Sequence, residues 1–437
     1  MNCKIKLLIP ILLFTGFISA KAQTSQKITL QQAVDLTIKN SSTLKISNIK
    51  IADAVADVTE AKDRMLPDAR ISGSYLRLFG ADVNFKNPQN TNNGNGGPKV
   101  SQALYGIANV SMPIYAGGRI KYGIESAKYL EQAARLNAAN DKEAIAYNTI
   151  LAYTNLYKAL GTVLLIKQNL DASVKRDTTF SRLEQNGLLA RNDLMKSQLQ
   201  TSNIELTLLD AENNLSIANV NMAIMLGMPE NTVIEIDSNF VNEKQELLPF
   251  ADMETFALQN RKDIKAISLQ KKAAAVGIKS AKAEAYPSIA LTGGYVAADI
   301  PKLITITNAV NIGIGVQYNI ASLWKTNTKL QKAQYREIQI SATEQILNDQ
   351  IRLQINKDYH NYLLAHKKIE VNEKAVLQAT ENYRITKNKY DNSLVTVNDL
   401  LDADVLLLQT KLNASVSKAE VALAYHKLLQ TTGKLLK

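Results

Sequence analysis

A chain of 437 residues with 9 prolines and 1 tryptophan, rich in Ala, Leu, Lys, Gln and Asn, suits long helices better than a mixed α/β enzyme. Its formal charge of +11 is spread along the chain without a basic block or interleaved aromatics, which argues for solvated helix faces and against a nucleic-acid partner. No stretch beyond residue 22 approaches the ~18 consecutive apolar residues that a membrane-spanning helix needs, so a membrane crossing would have to be a closed β-barrel.

Residues 1–22 are laid out as a secretory signal. Lys4 and Lys6 form its charged end, a mostly apolar run extends from Leu7 to Ile18, and Ala20-Lys21-Ala22 is an A-x-A cleavage site. Cleavage would start the mature chain at Gln23 and remove Cys3, the single cysteine, so no disulfide or lipid-anchor cysteine is expected. From Thr29 to Arg64 the pattern is helical with a break at Asn40-Ser41-Ser42, and Leu66-Pro67 stops it because proline disfavours a helical residue before it. The period then changes to two, with Ile71, Gly73 and Tyr75 alternating with Ser72 and Ser74.

This order recurs. Asn40, Lys45, Pro67, Gly73 and Tyr75 match Asn260, Lys265, Pro287, Gly293 and Tyr295 at an offset of 220. Beyond the first strands the offset is 206, pairing Val110 with Val316, Tyr129 with Tyr335, Asn192-Asp193-Leu194 with Asn398-Asp399-Leu400, and Gly227 with Gly433. The difference lies between the strands, in an Asn/Gly-rich loop of about 80–103 against a shorter one of about 298–307, and length change at one place is how a surface loop behaves. The expected organisation is a first repeat over 23–229, a joining segment over 230–247 with a β-prone piece at Val233-Ile236, and a second repeat over 248–437 with no appended domain. Each repeat reads helix, helix, strand, loop, strand, long helix, tip, return helix. The strand hairpins fall at about 69–115 and 288–320, the tips at about 186–194 and 392–403.

The fourth strand is the clearest. Val310, Ile312, Ile314, Val316, Tyr318 and Ile320 alternate with Asn311, Gly313, Gly315, Gln317 and Asn319, the pattern of a barrel strand with its apolar side to lipid. A soluble sandwich strand with one wet face shows the same alternation. Two such hairpins in an exported, otherwise helical chain favour the barrel. Four strands cannot close one, since the smallest membrane barrels have about 8. The barrel must be shared, with two chains giving 8 strands and three giving 12. After each hairpin about 70 residues lead to the tip, on the order of 100 Å of helix at ~1.5 Å per residue, so these helices must pack laterally, against their return helices and other copies.

Signal, duplicated plan, strand hairpins and Asn-Asp-Leu tips together resemble the TolC-like outer-membrane efflux proteins over essentially the whole mature chain. The resemblance implies a mostly helical fold with a small β part. Long antiparallel helical hairpins would form an α-barrel and four strands per chain a shared 12-stranded transmembrane barrel. It also implies a homotrimer in outer-membrane lipid reaching into the periplasm, with a periplasmic adaptor and an inner-membrane pump as partners. The family's tip pattern, roughly Gly-Leu-x-x-x-x-Asp-(Val/Leu), is met by Gly187, Leu188 and Asp193, and by Leu394 and Asp399 with Ser393 in the glycine's place. Gly187, Leu188, Ser393, Leu394 and Val395 are thereby implied as adaptor contacts. Asp193, Tyr390, Asp399 and Asp402 are implied around the periplasmic aperture. The family's closing arginine falls on Val395, and Arg191 is the nearby alternative.

On spacing alone, Thr396 and Asp399 also form a capping box, in which Asp399 is an ordinary first-turn carboxylate. The three histidines, His360, His366 and His426, lie in helical stretches, and no HExxH, GxSxG, P-loop or cysteine cluster occurs. Neither an enzyme nor a cofactor or metal site is expected. Tyr147, Tyr153 and Tyr157 are read as packing residues, and Tyr75, Tyr115 and Tyr295 as membrane-interface anchors. The alternative is a periplasmic helical-hairpin adaptor or scaffold without a membrane barrel; a passive porin would need many more strands per chain.

Overall fold

The computed structural model describes residues 25–80, 100–242, 245–301, 303–324 and 326–436. The signal at 1–22 and most of the first inter-strand loop lie outside them. Eight helices are described: α1 (Leu30–Asn40), α2 (Ser42–Asp63), α3 (Arg119–Gln185), α4 (Arg191–Leu226), α5 (Phe250–Asn260), α6 (Lys262–Ala283), α7 (Thr328–Asp391) and α8 (Val397–Thr432). The strands are β1 (Ser25–Ile28), β2 (Asp68–Arg77), β3 (Gln102–Tyr115), β4 (Val233–Ile236), β5 (Ser288–Ile300) and β6 (Ile304–Gln317). The break after Asn40 is a helix start, where the Ser41 hydroxyl accepts from the Leu44 N–H at 3.2 Å. The chain divides into two compact units, and both repeats contribute to each.

The first unit comprises Met1–Asn40, Thr149–Glu243 and Val371–Ala419. Its joining segment is held by two side chains. Tyr153 is fully buried, donates to the Ile28 carbonyl at 2.8 Å and accepts from the Asp237 N–H at 2.9 Å, while Phe240 meets its ring edge-on. Burial pushes its hydroxyl up to about 12. Asn219 accepts from the Ile234 N–H and donates to the Thr232 carbonyl, which fixes β4 against α4. β4 pairs in parallel with β1, Ser25 opposite Val233. Sequence reading found β4 but not β1, because four residues ahead of a helix carry no periodicity and only β4 gives them a partner. α4 ends at Gly227, at φ 72°, and the Asn40 amide donates to the Leu226 carbonyl at 2.6 Å.

The second unit comprises Ser41–Asn148, Lys244–Glu370 and Glu420–Lys437. Its helical core gathers Met253, Ala257, Ile351, Ile355 and Leu428. The same device closes α8: Gly433 sits at φ 72° against Arg261, whose guanidinium donates to the Thr431 carbonyl at 2.8 Å. The sheet has the order β2-β3-β5-β6, antiparallel throughout. Its two hairpins have one register. Asp68 faces Ser111 and Gly73 faces Gly106 in the first; Ser288 faces Gln317 and Gly293 faces Ile312 in the second. These are the pairs that the 220 and 206 offsets make equivalent.

Two expectations for the second hairpin change. The expected loop of about 298–307 is mostly strand, since β5 continues to Ile300 and β6 starts at Ile304, with an irregularity near Asn308, whose φ is 58°. At the other end β6 stops at Gln317. Tyr318 therefore follows the strand and Ile320 opens a 3-10 turn (Ile320–Leu323), since β5 begins at Ser288 and gives them no pairing strand. By length and composition α3 could cross a membrane, but 39% of the apolar window is buried, and Ile150, Tyr153 and Leu156 lie inside the protein.

The end glycines differ in room. A Cβ on Gly227 would lie 2.8 Å from the Asn40 amide, whereas on Gly433 it would meet Arg261 at 3.3–3.4 Å. Left-handed backbone costs a residue with a Cβ about 1–2 kcal/mol. Gly433→Ala should therefore lose about that much in denaturant unfolding, and Gly227→Ala clearly more; equal losses would discount the Asn40 contact.

Candidate functional site: helix tips and sheet faces

Both hairpin tips are built the same way. α3 closes with the Gly187 N–H on the Glu184 carbonyl (2.9 Å) and the Leu188 N–H on the Leu183 carbonyl (2.8 Å), which requires left-handed backbone at Gly187, φ 71°. α7 repeats this with the Ser393 N–H on Tyr390 and the Leu394 N–H on Lys389, both 2.9 Å, and Ser393 at φ 60°. Each tip thus turns outward one large apolar residue, Leu188 (74% exposed) and Leu394 (73%), on a rigid hydrogen-bonded end. Val395 is half-buried.

The return helices start differently. At α8 the expected capping box is present: the Thr396 N–H and hydroxyl donate to Asp399 Oδ2 at 2.8 and 2.7 Å, and the Asp399 N–H donates to the Thr396 hydroxyl at 3.3 Å. Those bonds hold the Asp399 carboxyl below the ordinary carboxylate range. Asp402 is exposed one turn on. α4 starts at Ala190 with no side-chain cap, and Asp193 in its first turn pairs with Lys196 at 3.4 Å. Tyr390 lies tilted on Phe180, centroids 5.6 Å apart, in a cluster of Val397, Leu400 and Leu401. Burial raises its hydroxyl first, then the carboxylates of Asp193 and Asp391. Asp193 thus acts on Tyr390 through its charge, while Asp399 and Asp402 are exposed. Arg191 is exposed.

Sequence reading missed a buried polar network behind the tips. Arg176 on α3 pairs with Asp404 on α8 at 2.7 Å, their side chains 10% and 9% exposed. Arg176 also donates to Ser173 at 2.7 Å; Ser173 and Thr201 share a hydrogen bond of 2.7 Å, and Thr201 and Ser197 both donate to Asp177. Every charge in the network thus has polar partners, as burial demands. The one readable hint was Asp404 itself, an acid in the apolar run of Leu400, Leu401, Ala403 and Leu407, all buried.

The sheet sorts its faces by chemistry. On one face Val310, Ile312, Ile314 and Val316 lie opposite Tyr295, Gly293, Leu291 and Ile289, and these continue across β3 and β2 through Ala108, Val110 and Met112 to Ile71 and Ala69. All four β6 residues are 68–83% exposed. The other face carries Asn311, Gly313, Thr292, Asn109, Ser111, Ser72 and the pair Arg70–Asp68, 2.8 Å apart. Gly294 belongs there: a Cβ on it would sit 2.9 Å from both Asn109 Oδ1 and Asn311 Oδ1.

A four-stranded sheet with an apolar exposed face, continued into helical hairpins by a duplicated chain, defines the fold class of outer-membrane channels. Among solved structures the chain is similar to CusC (16% identity, 92% of each chain, TM-score 0.79). It is similar to the Vibrio cholerae outer membrane protein VceC (17% identity, 92% of this chain and 96% of that one, TM-score 0.76). It also matches the Campylobacter jejuni outer membrane channel CmeC (18% identity, 99% of this chain and 95% of that one, TM-score 0.75). No curated protein sequence matches. Residues 256–434 match the family model described as outer membrane efflux protein. The likeness to these channels is thus one of fold over nearly the whole chain, and the family model reaches its second repeat alone.

Breaking a buried ion pair by removing one partner costs about 3–5 kcal/mol, because the other charge is left without compensation. Asp404→Leu alone should destabilise the tip helices by that order in hydrogen exchange, and Arg176→Met with Asp404→Leu should recover most of it. At Asp399 the carboxyl is depressed on folding, so its contribution is present above the unfolded value of 3.8 and lost as pH falls through the lower folded value. Amide protection at the start of α8 should drop over that acid range, and Asp399→Ala should abolish the pH dependence.

Proposed function

We propose that three copies of this chain assemble into one conduit through the outer membrane, the channel component of a tripartite efflux or type I secretion system. The observation that carries this is the sheet: its apolar face is exposed, and its edge strands β2 and β6 each pair on one side only among the described residues. Backbone groups at an open edge cannot remain unpaired in hydrocarbon. Twelve strands from three chains close the sheet and leave a lumen wide enough for transport, with the Asn-, Ser- and Thr-bearing face inward.

The helices support the same arrangement. In the first unit α3 contacts α4 through Ser173 and Thr201 and α8 through Arg176 and Asp404, while α8 contacts α7 through Asn372 and Asn413. α7 also meets α3 where Tyr390 lies on Phe180. α4 and α7 both keep apolar side chains exposed: Met195, Leu199, Leu206 and Leu209 on α4, spaced by threes, fours and sevens, and Val371 and Leu377 on α7. Such a stripe is a coiled-coil seam awaiting a partner helix. A neighbouring copy supplies it.

The tips are the docking end. Gly187, Leu188, Ser393, Leu394 and Val395 offer two rigid apolar points per chain to a periplasmic adaptor working with an inner-membrane pump. Asp193 and Tyr390 line the aperture, Tyr390 packed on Phe180. Asp399 and Asp402, exposed on α8, form a ring of carboxylates when three copies meet. Val310, Ile312, Ile314 and Val316 face lipid, with Tyr318 and Ile320 below them.

Fractionation with detergent-corrected native mass tests the core of this reading. The expected result is an outer-membrane species of three chains that dissociates on heating; a soluble periplasmic monomer would replace it with a helical-hairpin adaptor or scaffold. A second measurement addresses the ring. Asp399→Ala/Asp402→Ala should reduce the cation preference of single channels, since charged rings set selectivity, and unchanged selectivity would remove the ring from the reading.

A further inference from the structure

The sheet's internal repeat specifies how its two open edges meet. We infer that β6 of one copy pairs with β2 of the next in a single register, Val316 opposite Gly73 and Gln317 opposite Ser72, and that this pairing extends β6 through Tyr318 to Ala321. The inference rests on the three-chain reading above and names its seam.

Within one chain β3 meets β5 with Val110 opposite Gly293, Ser111 opposite Thr292 and Ala108 opposite Tyr295. The two hairpins have one register, so β3 is equivalent to β6 at an offset of 206 and β5 to β2 at an offset of 220. Carrying the β3–β5 junction over to β6 and β2 places Val316 against Gly73, Gln317 against Ser72 and Ile314 against Tyr75. A barrel of six such hairpins closes with uniform tilt when both kinds of junction carry the same stagger.

The side chains agree. Val opposite Gly recurs at both junctions, Val110 with Gly293 and Val316 with Gly73, and tyrosine recurs two residues along, at Tyr295 and Tyr75. A one-residue slip would turn the apolar face of a strand inward. A two-residue slip keeps the faces but puts Val316 against Ile71 or Tyr75 and Gly73 against Ile314 or Tyr318, so the valine–glycine pairing seen at Val110 and Gly293 is not repeated.

The end of β6 is explained by the same junction. β3 continues past Ser111 to Tyr115 because Leu291, Ala290 and Ile289 of β5 pair with it there, beyond the start of β2. The equivalent stretch after Gln317 is Tyr318 to Ala321. In the single chain it is irregular and then a 3-10 turn, since the strand that would pair with it belongs to another copy. Ile71, its nearest expected partner on β2, is 89% exposed.

Paired cysteines in the full-length chain with Cys3→Ser read this directly. Directly opposed residues lie within about 5.5 Å between Cα atoms, inside disulfide reach, whereas pairs displaced by two residues are about 7–8 Å apart. Within one chain residues 73 and 316 lie on opposite edges, three strand spacings or about 14 Å apart, so any bridge is between copies. A Cβ on Gly73 would meet only the Tyr105 carbonyl, at 3.8 Å, so Gly73→Cys fits. Oxidation or a short thiol-reactive linker should convert most of Gly73→Cys/Val316→Cys and Ser72→Cys/Gln317→Cys into covalent multimers. Gly73→Cys/Ile314→Cys and Gly73→Cys/Tyr318→Cys should stay at least fivefold lower. Two results overturn the register while leaving the three-chain reading standing: a heat-sensitive trimer in which a displaced pair links best, or one in which no pair links. A native monomer with no links in any pair overturns both.

Discussion

An unpaired sheet edge cannot sit in hydrocarbon, and the proposed assembly follows from that constraint. Each chain makes four strands whose lipid-suited face is apolar from Ile71 to Val316, yet four strands cannot close on themselves. On the proposed three-chain reading other copies supply the missing strands, and duplication of one hairpin supplies edges that are alike; the apolar residues exposed on α4 and α7 suit the same reading.

The tips show how duplication and divergence combine. Their backbone is repeated closely, with left-handed ends at Gly187 and Ser393 and the same pair of closing hydrogen bonds. Their side chains have diverged. In the first repeat Ser173, Ser197 and Thr201 build a polar network around Arg176; the positions 206 residues later are Ala379, Ala403 and Leu407, all buried and apolar. Asp404 on the apolar side supplies the one charge that the polar side needs. Such a pair contributes little net stability, because desolvation offsets most of its attraction, but it makes the fit of one hairpin against the other specific.

Legibility in the sequence followed periodicity. Long helices, alternating strands and the two offsets announce themselves because each involves many residues in a fixed spacing. The ends of elements were read less well. β1 is only four residues long, the strands of the second hairpin run further into the expected loop of about 298–307, and β6 ends where its partner strand ends. In each case pairing with a distant strand sets the boundary. The capping box at Thr396 was legible because it is local, three residues from donor to acceptor. The Arg176–Asp404 pair was not, because 228 residues separate its members and neither spacing nor composition links them.

By itself the sequence determined the duplication, the order of elements, the apolar and polar faces of the strands and the positions of both tips. All of these depend on spacing along one chain, where side-chain direction follows from helical or extended geometry. Only the tertiary structure decided which strand lies beside which, that both hairpins share one register, that Tyr390 packs on Phe180, and that buried charges join the two helical hairpins. Those are contacts between residues far apart in the chain, chosen by packing and by the need to satisfy every buried polar group, and no local pattern encodes them.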